Sequence, residues 1–180
     1  MVIVPAEHPL DWKKPPVITL LLIVINVLIY FGYQGGDSTR REEAVRVYLD
    51  QDLLGHERPL FSASLERRDR LEADQQRALE ALPRQQLAWL VLSDLEFGHE
   101  LRALPAFQQD SAWQAARLKA EAARDLTSSL RFGFIPERFT VQGLFGSMFL
   151  HGSFWHLAGN MVFLFIFGFA LEAALGRALY

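Results

Sequence analysis

Two apolar stretches, separated by a long polar region, dominate the pattern of hydrophobic and polar positions. Residues 17–33 and 151–171 contain no charged side chain, whereas nearly all the charge lies between Asp37 and Arg138. At about 1.5 Å of rise per residue, the first stretch reaches roughly 26 Å as a helix, near the short limit for crossing a bilayer core. The pattern therefore predicts two membrane-spanning helices.

The alternatives for the first stretch are a cleaved signal peptide and a buried helix of a soluble domain. The residues around Gln34 offer no convincing pair of small residues for a cleavage site. A soluble helix that is apolar on every face is unusual in a small domain. An uncleaved span is the favoured interpretation.

The polar region, residues 37–130, has the composition of helices. Pro59, Pro83 and Pro105 predict its division into about four helices. Thr39 with Glu42, and Ser93 with Glu96, have the spacing of capping boxes. We interpret the region as a solvated helical insertion, and a small docking surface at residues 89–95 is the alternative.

Residues 132–150 have a different character, because they are apolar, punctuated by glycines and charged only at Glu137 and Arg138. Such a segment suits the membrane interface better than a straight span.

Composition excludes several classes of protein. The formal net charge of −3 provides no field that would recruit nucleic acid. The chain has no cysteine, which rules out disulfides and thiolate metal sites. No motif indicates a cofactor, and none is expected.

Charge beside the first span predicts the topology. Lys13 and Lys14 precede it and no basic cluster follows it directly, so we expect a cytoplasmic N-terminus. The expected organisation is a cytoplasmic leader (1–16), a first transmembrane helix (17–34), an extracytoplasmic helical insertion (35–131), an interfacial segment (132–150), a second transmembrane helix (151–172) and a cytoplasmic end (173–180).

Polar side chains within the second apolar stretch carry the candidate chemistry. His156 and Asn160 are four residues apart and share one face of a helix, with Gly152 one turn earlier. Gly159 would allow another backbone to approach. An unsatisfied imidazole or amide costs several kcal/mol in hydrocarbon, so this face should border a protein interior or a wet cavity.

Two simpler interpretations apply to the same residues. A lone membrane Asn often makes only a helix–helix hydrogen bond, worth about 0.6–2 kcal/mol. A metal site is not expected, because Asn160 is a poor zinc ligand and a helix would place His151 about 140° away from His156.

The order of these residues resembles the rhomboid family of intramembrane serine proteases. The resemblance rests on Gly133-Phe-Ile-Pro136, Ser147-Met-Phe-Leu-His151-Gly-Ser, His156-Leu-Ala-Gly-Asn160-Met, Phe167-Gly168 and Leu171-Glu172 followed by Gly176. It implies an all-α membrane protein, the N-terminal portion of a rhomboid-like helical bundle with a helical extramembrane insertion. The lipid bilayer and transmembrane protein substrates would be the partners, and the bacterial inner membrane the location.

The resemblance also implies roles for particular residues. His156 and Asn160 would be side-chain donors of an oxyanion hole. His151, Gly152, Gly159, Glu172 and Gly176 would support the site or its packing. The family's nucleophile is the serine of a Gly-x-Ser-Gly motif, and its base is a histidine on a later helix.

Neither member of that dyad is present in this sequence. No Gly-x-Ser-Gly occurs and no histidine follows His156. We therefore expect an inactive chain that is a fragment of a longer rhomboid, with the dyad and the remaining helices beyond Tyr180. Such a fragment should be poorly stable in detergent unless it oligomerises.

Two other functions remain open. The chain could be an inactive rhomboid-like protein that binds transmembrane helices through the His156/Asn160 face. It could instead be a membrane-anchored scaffold that acts through residues 37–130.

Overall fold

A computed structural model describes residues 15–68 and 73–175 of the chain. Within these residues all regular secondary structure is helical and no strand occurs, which confirms the predicted all-α membrane fold. The α-helices are α1 Val17–Leu28, α2 Asp37–Asp50, α3 Leu53–Arg67, α4 Ala73–Glu80, α5 Arg84–Ser93, α6 Leu95–Ala103, α7 Pro105–Gln109, α8 Ser111–Arg124, α9 Ser128–Phe132, α10 Val141–Gly146, α11 Phe154–Phe163 and α12 Phe169–Leu175. Two π-helical turns, Ile29–Tyr33 and Leu164–Gly168, follow α1 and α11.

The chain divides into two compact units. The membrane unit comprises Met1–Gly35 and Phe132–Tyr180, and the helical unit comprises Gly36–Arg131. The membrane unit contains the apolar segments of the sequence, and the helical unit corresponds to the polar region.

In the membrane unit, α1 packs against α11, the second π-helical turn and α12. The helical run that starts at Val17 and the run Phe154–Leu175 are long and apolar enough to cross a membrane. Most of their large side chains remain uncovered, an arrangement that suits acyl chains and not water. These exposed residues include Leu20, Leu21, Val24, Leu28, Phe31, Val162, Phe163, Phe165, Ile166 and Leu171.

The helical unit has a hydrophobic core of its own. Helix α2 packs against α8 and α5, and α3 contacts α5, α6 and α8. The buried core residues of the unit are Ala44, Val45, Tyr48, Leu53, Leu54, Phe61, Leu79, Leu87, Ala88, Val91, Leu92, Phe97, Leu101, Phe107 and Ala120. An enclosed core of this kind is what a soluble helical domain requires.

A buried polar network also crosses the core of the helical unit. The Glu57 carboxylate accepts hydrogen bonds from the Tyr48 hydroxyl at 2.8 Å and from Trp113 Nε1 at 2.9 Å, and it pairs with Arg117. Arg117 Nε also donates to Glu121 at 3.0 Å. Burial raises the pKa of the Tyr48 phenol, and the nearby Glu57 carboxylate adds to the rise, so this tyrosine is a neutral donor. The network fixes how α2, α3 and α8 pack.

The prediction that Pro59 ends a helix is wrong. Pro59 lies inside α3, between the buried residues Glu57 and Phe61. A proline in a helix interior removes one backbone hydrogen bond, and burial of its neighbours outweighs that cost here. Pro83 and Pro105 do mark helix starts, as the N-cap of α5 and the first residue of α7.

The two predicted capping boxes are also wrong. Thr39 lies within α2, which begins at Asp37, and Ser93 is the last residue of α5. Asp94 is the N-cap of α6, and its carboxylate accepts a hydrogen bond from Phe97 N at 2.7 Å.

The first and last helices of the helical unit are joined by a side chain. Asp37, the first residue of α2, accepts hydrogen bonds from the backbone N–H of Ser128, at 3.0 Å, and from its hydroxyl. Arg40 pairs with the same carboxylate at 2.7 Å. The two ends of the unit are therefore held side by side.

Candidate functional site

His156 and Asn160 lie on α11, which begins at Phe154. The Ser153 side chain caps this helix by accepting a hydrogen bond from His156 N at 3.2 Å. Since the helix runs unbroken from Phe154 to Phe163, the two polar side chains share one face, as their spacing predicts. Both side chains are exposed, and no described residue gives either of them a side-chain hydrogen bond.

His151 and Gly152 lie outside α11, contrary to the prediction that the helix includes them. Leu150 is extended, so the chain reaches Ser153 without helical geometry, and the angle of 140° does not apply. Instead, the rings of His151 and His156 meet edge to face with centroids 5.4 Å apart. The predicted stripe from Gly152 to His156 is replaced by this ring contact.

His151 is held through both its ring and its backbone. It is 4% exposed, and its Nδ1 lies 3.2 Å from the carbonyl oxygen of Phe149. Its backbone is bound by the side-chain amide of Gln34, which accepts from His151 N at 3.0 Å and donates to His151 O at 3.1 Å. Sequence reasoning missed Gln34, since the two residues are 117 positions apart and no motif connects them.

Glu172 lies at the opposite end of the helix pair, where α1 begins. Its carboxylate accepts hydrogen bonds from Ile18 N at 3.1 Å, from Thr19 N at 2.8 Å and from Thr19 Oγ1 at 2.9 Å. The first N–H groups of a helix lack internal partners, and a carboxylate is a favourable acceptor there. Glu172 is thus a cap for α1, supplied by α12.

The segment before α11 folds back tightly on itself. Thr140 caps α10, and a side chain at Gly146 would come within 2.5 Å of the Phe132 carbonyl oxygen. At Gly143 it would come within 2.7 Å of the Gly133 carbonyl oxygen. Several large apolar residues of the segment are exposed, namely Phe134, Phe139, Val141, Leu144, Phe145 and Met148.

The C-terminal part of the chain is similar to a known protein domain. The model of the Rhomboid domain matches residues 138–180. This part of the chain is rhomboid-like. No curated protein and no solved structure shows a significant match. The match and the two apolar helices together describe a rhomboid-like integral membrane protein.

The rhomboid-like segment contains all the candidate site residues derived from the sequence. His151, His156, Asn160 and Glu172 lie within the described residues, whereas Gly176 lies outside them. At Gly152 and Gly159, an added side-chain carbon would meet no atom within 4 Å. The backbone approach predicted at Gly159 is not made by any described residue.

The histidine pair offers little to a metal ion. Among residues 15–68 and 73–175, no group of three or more His, Cys, Asp or Glu side chains could hold one. His151 and His156 alone would supply two of the four ligands that a structural zinc site uses. What the rhomboid-like segment presents is a pair of exposed hydrogen-bond donors on a membrane helix.

Proposed function

We propose that this chain supplies the oxyanion-binding helix of a rhomboid-type intramembrane serine endopeptidase that cleaves transmembrane substrates. One observation carries the proposal: His156 and Asn160 lie on one exposed face of an otherwise apolar helix. Neither has a side-chain hydrogen bond from a described residue.

The chemistry of the two side chains fits this role. An imidazole N–H and a carboxamide N–H can both donate to the negative charge that develops on a scissile carbonyl. In a site with little water, removal of one such donor typically costs about 2.7–4 kcal/mol of transition-state stabilisation. The same donors would be costly against acyl chains, which favours a covered site over a lipid-facing one.

The donors cannot perform the reaction alone. Hydrolysis needs a nucleophile and a base, and the sequence contains no Gly-x-Ser-Gly motif and no histidine after His156. In this proposal both groups come from outside these 180 residues, which by themselves do not cleave substrates.

The proposed topology follows from charge and from the positions of the apolar helices. The protein lies in the inner membrane of a bacterium with its N-terminus in the cytoplasm. Residues 35–131 lie on the extracytoplasmic side. Residues 132–153 lie at the interface, the helical run that begins at Phe154 spans the bilayer, and residues 173–180 return to the cytoplasm.

The test begins with the coding sequence beyond the codon for Tyr180. We expect a Gly-x-Ser-Gly motif followed by a histidine, each within an apolar helix. In the purified product, His156→Ala and Asn160→Ala should each lower kcat for cleavage of a single-span substrate by about 10²–10³-fold. Phe165→Leu, which changes an exposed apolar residue of the same helical run, should not. Wild-type kcat in both alanine variants would refute the oxyanion role.

A second function, the binding of transmembrane helices without catalysis, is favoured by the same exposed face. A partner helix could satisfy the His156 and Asn160 side chains by direct hydrogen bonds. In that case the 180-residue chain co-purifies with a single-span protein, and Asn160→Leu weakens the association. Unchanged association in the variant would argue against it.

A further inference from the structure

Between the 3-10 turn Ser147–Phe149 and the cap of α11, Leu150 still donates its N–H to the Ser147 carbonyl oxygen at 3.3 Å, whereas His151 and Gly152 make no helical hydrogen bond. Buried backbone groups in such a link need partners from elsewhere. For His151, both partners come from one side chain, because the Gln34 amide accepts from its N–H and donates to its carbonyl. Gln34 is the first residue of a 3-10 turn, Gln34–Gly36, that follows the helical run of α1.

This double hydrogen bond fixes more than the backbone. With its backbone held, the buried His151 ring lies against His156 at a centroid distance of 5.4 Å and an interplanar angle of 67°. The His151 ring is itself tethered, because its Nδ1 lies 3.2 Å from the Phe149 carbonyl oxygen. The described residues offer His156 no side-chain hydrogen bond, which leaves the ring contact as the restraint on its orientation.

We infer that Gln34 is a positioning residue for His156. Its amide holds the backbone of His151, and the buried His151 ring holds the His156 imidazole edge to face. The inference rests on the proposed function, in which His156 donates to an oxyanion. A donor displaced by about 1 Å can lose a hundredfold in rate, so the orientation of this ring matters to the reaction.

The experiment observes the two rings directly in the 180-residue chain, labelled with ¹³C and ¹⁵N histidine in detergent micelles. In the wild type, nuclear Overhauser contacts should connect the ring protons of His151 and His156, and one χ1 rotamer of His156 should dominate. Gln34→Met keeps the side-chain length and removes both hydrogen bonds. We expect it to abolish the contacts and to reduce the occupancy of the dominant rotamer roughly twofold, toward equal occupancy of the two χ1 wells that are common in a helix.

Gln85→Met is the matched control, because Gln85 is exposed in the helical unit, and it should leave both signals unchanged. If Gln34→Met fails to fold by circular dichroism, Gln34→Asn serves instead: it is one methylene too short to make both bonds, and the same losses are expected. Wild-type contacts and rotamer in a folded Gln34 variant would overturn the inference. No catalysis is measured, so that result leaves the proposed function standing, and a failed cleavage assay leaves this result unaffected.

Discussion

At the scale of single residues, the membrane unit is fastened at both ends of its helix pair by side chains that bind backbone. Glu172 binds the first N–H groups of α1, and Gln34 binds both backbone groups of His151. The hydrophobic effect does not drive two apolar helices together in lipid, so polar contacts of this kind act together with side-chain packing to align them.

The Glu172 cap should be measurable in the thermal stability of the 180-residue chain in detergent. Glu172→Ala leaves three donors without their acceptor, and hydrogen bonds to charged groups are worth about 1.5–3 kcal/mol each. We expect a clear fall in the melting temperature followed by circular dichroism. Thr19→Val, which removes the hydroxyl bond alone, should lower it less. An equal loss in the two variants would mean that the backbone bonds contribute nothing.

Some residue placements could be predicted from the sequence, and others could not. The shared face of His156 and Asn160 follows from helical periodicity alone, and the structure has it. The position of His151 does not follow, because it depends on where Ser153 starts the helix. The partnership of Gln34 with His151 depends on tertiary contact between distant segments, for which local pattern carries no signal.

At the scale of elements, boundaries were harder to predict than the elements themselves. The two apolar helices and the helical nature of the polar region follow from periodicity and composition. The prediction at Pro59 failed because the low helix propensity of proline is outweighed by the burial of Glu57 and Phe61 in the same helix. The cap of α6 fell one residue away from the predicted one, at Asp94.

Helix α10 provides the test at this scale. In Gly146→Ala the added side-chain carbon would lie 2.5 Å from the Phe132 carbonyl oxygen. Helix α10 must therefore move away from Phe132. Overpacking of this sort costs about 1–3 kcal/mol. We expect a lower melting temperature in detergent and faster proteolysis near Phe132.

The matched control is Gly32→Ala, because a carbon added at Gly32 meets no atom within 4 Å. Replacing a helical glycine by alanine there should leave stability unchanged or raise it by up to about 1 kcal/mol. Equal destabilisation by the two substitutions would show that the close contact at Gly146 is unimportant.

At the scale of the whole molecule, the chain combines a membrane unit, part of which is rhomboid-like, with a helical unit that has its own core. The match to the Rhomboid domain covers residues 138–180 and leaves the helical unit outside it. The role of that unit therefore has to be established separately from the role of α11.

The proposed topology can be tested because the chain contains no cysteine. Single-cysteine variants at Ser111 in the helical unit and at Ala6 in the leader can be treated in intact cells with a membrane-impermeant maleimide. We expect labelling at Ser111→Cys alone, and labelling of both after the cells are permeabilised. Labelling of Ala6→Cys in intact cells would contradict the proposed cytoplasmic N-terminus.

The bond between Asp37 and Ser128 has a consequence for how such a chain can change over time. A hydrogen bond joins the first and last helices of the helical unit. The roughly ninety residues between Asp37 and Ser128 therefore form an insertion, or cassette, whose two ends are adjacent. A cassette of this kind can be lengthened, shortened or exchanged while the flanking segments keep their spacing. The same two positions are therefore the natural points at which to replace the unit with a short linker.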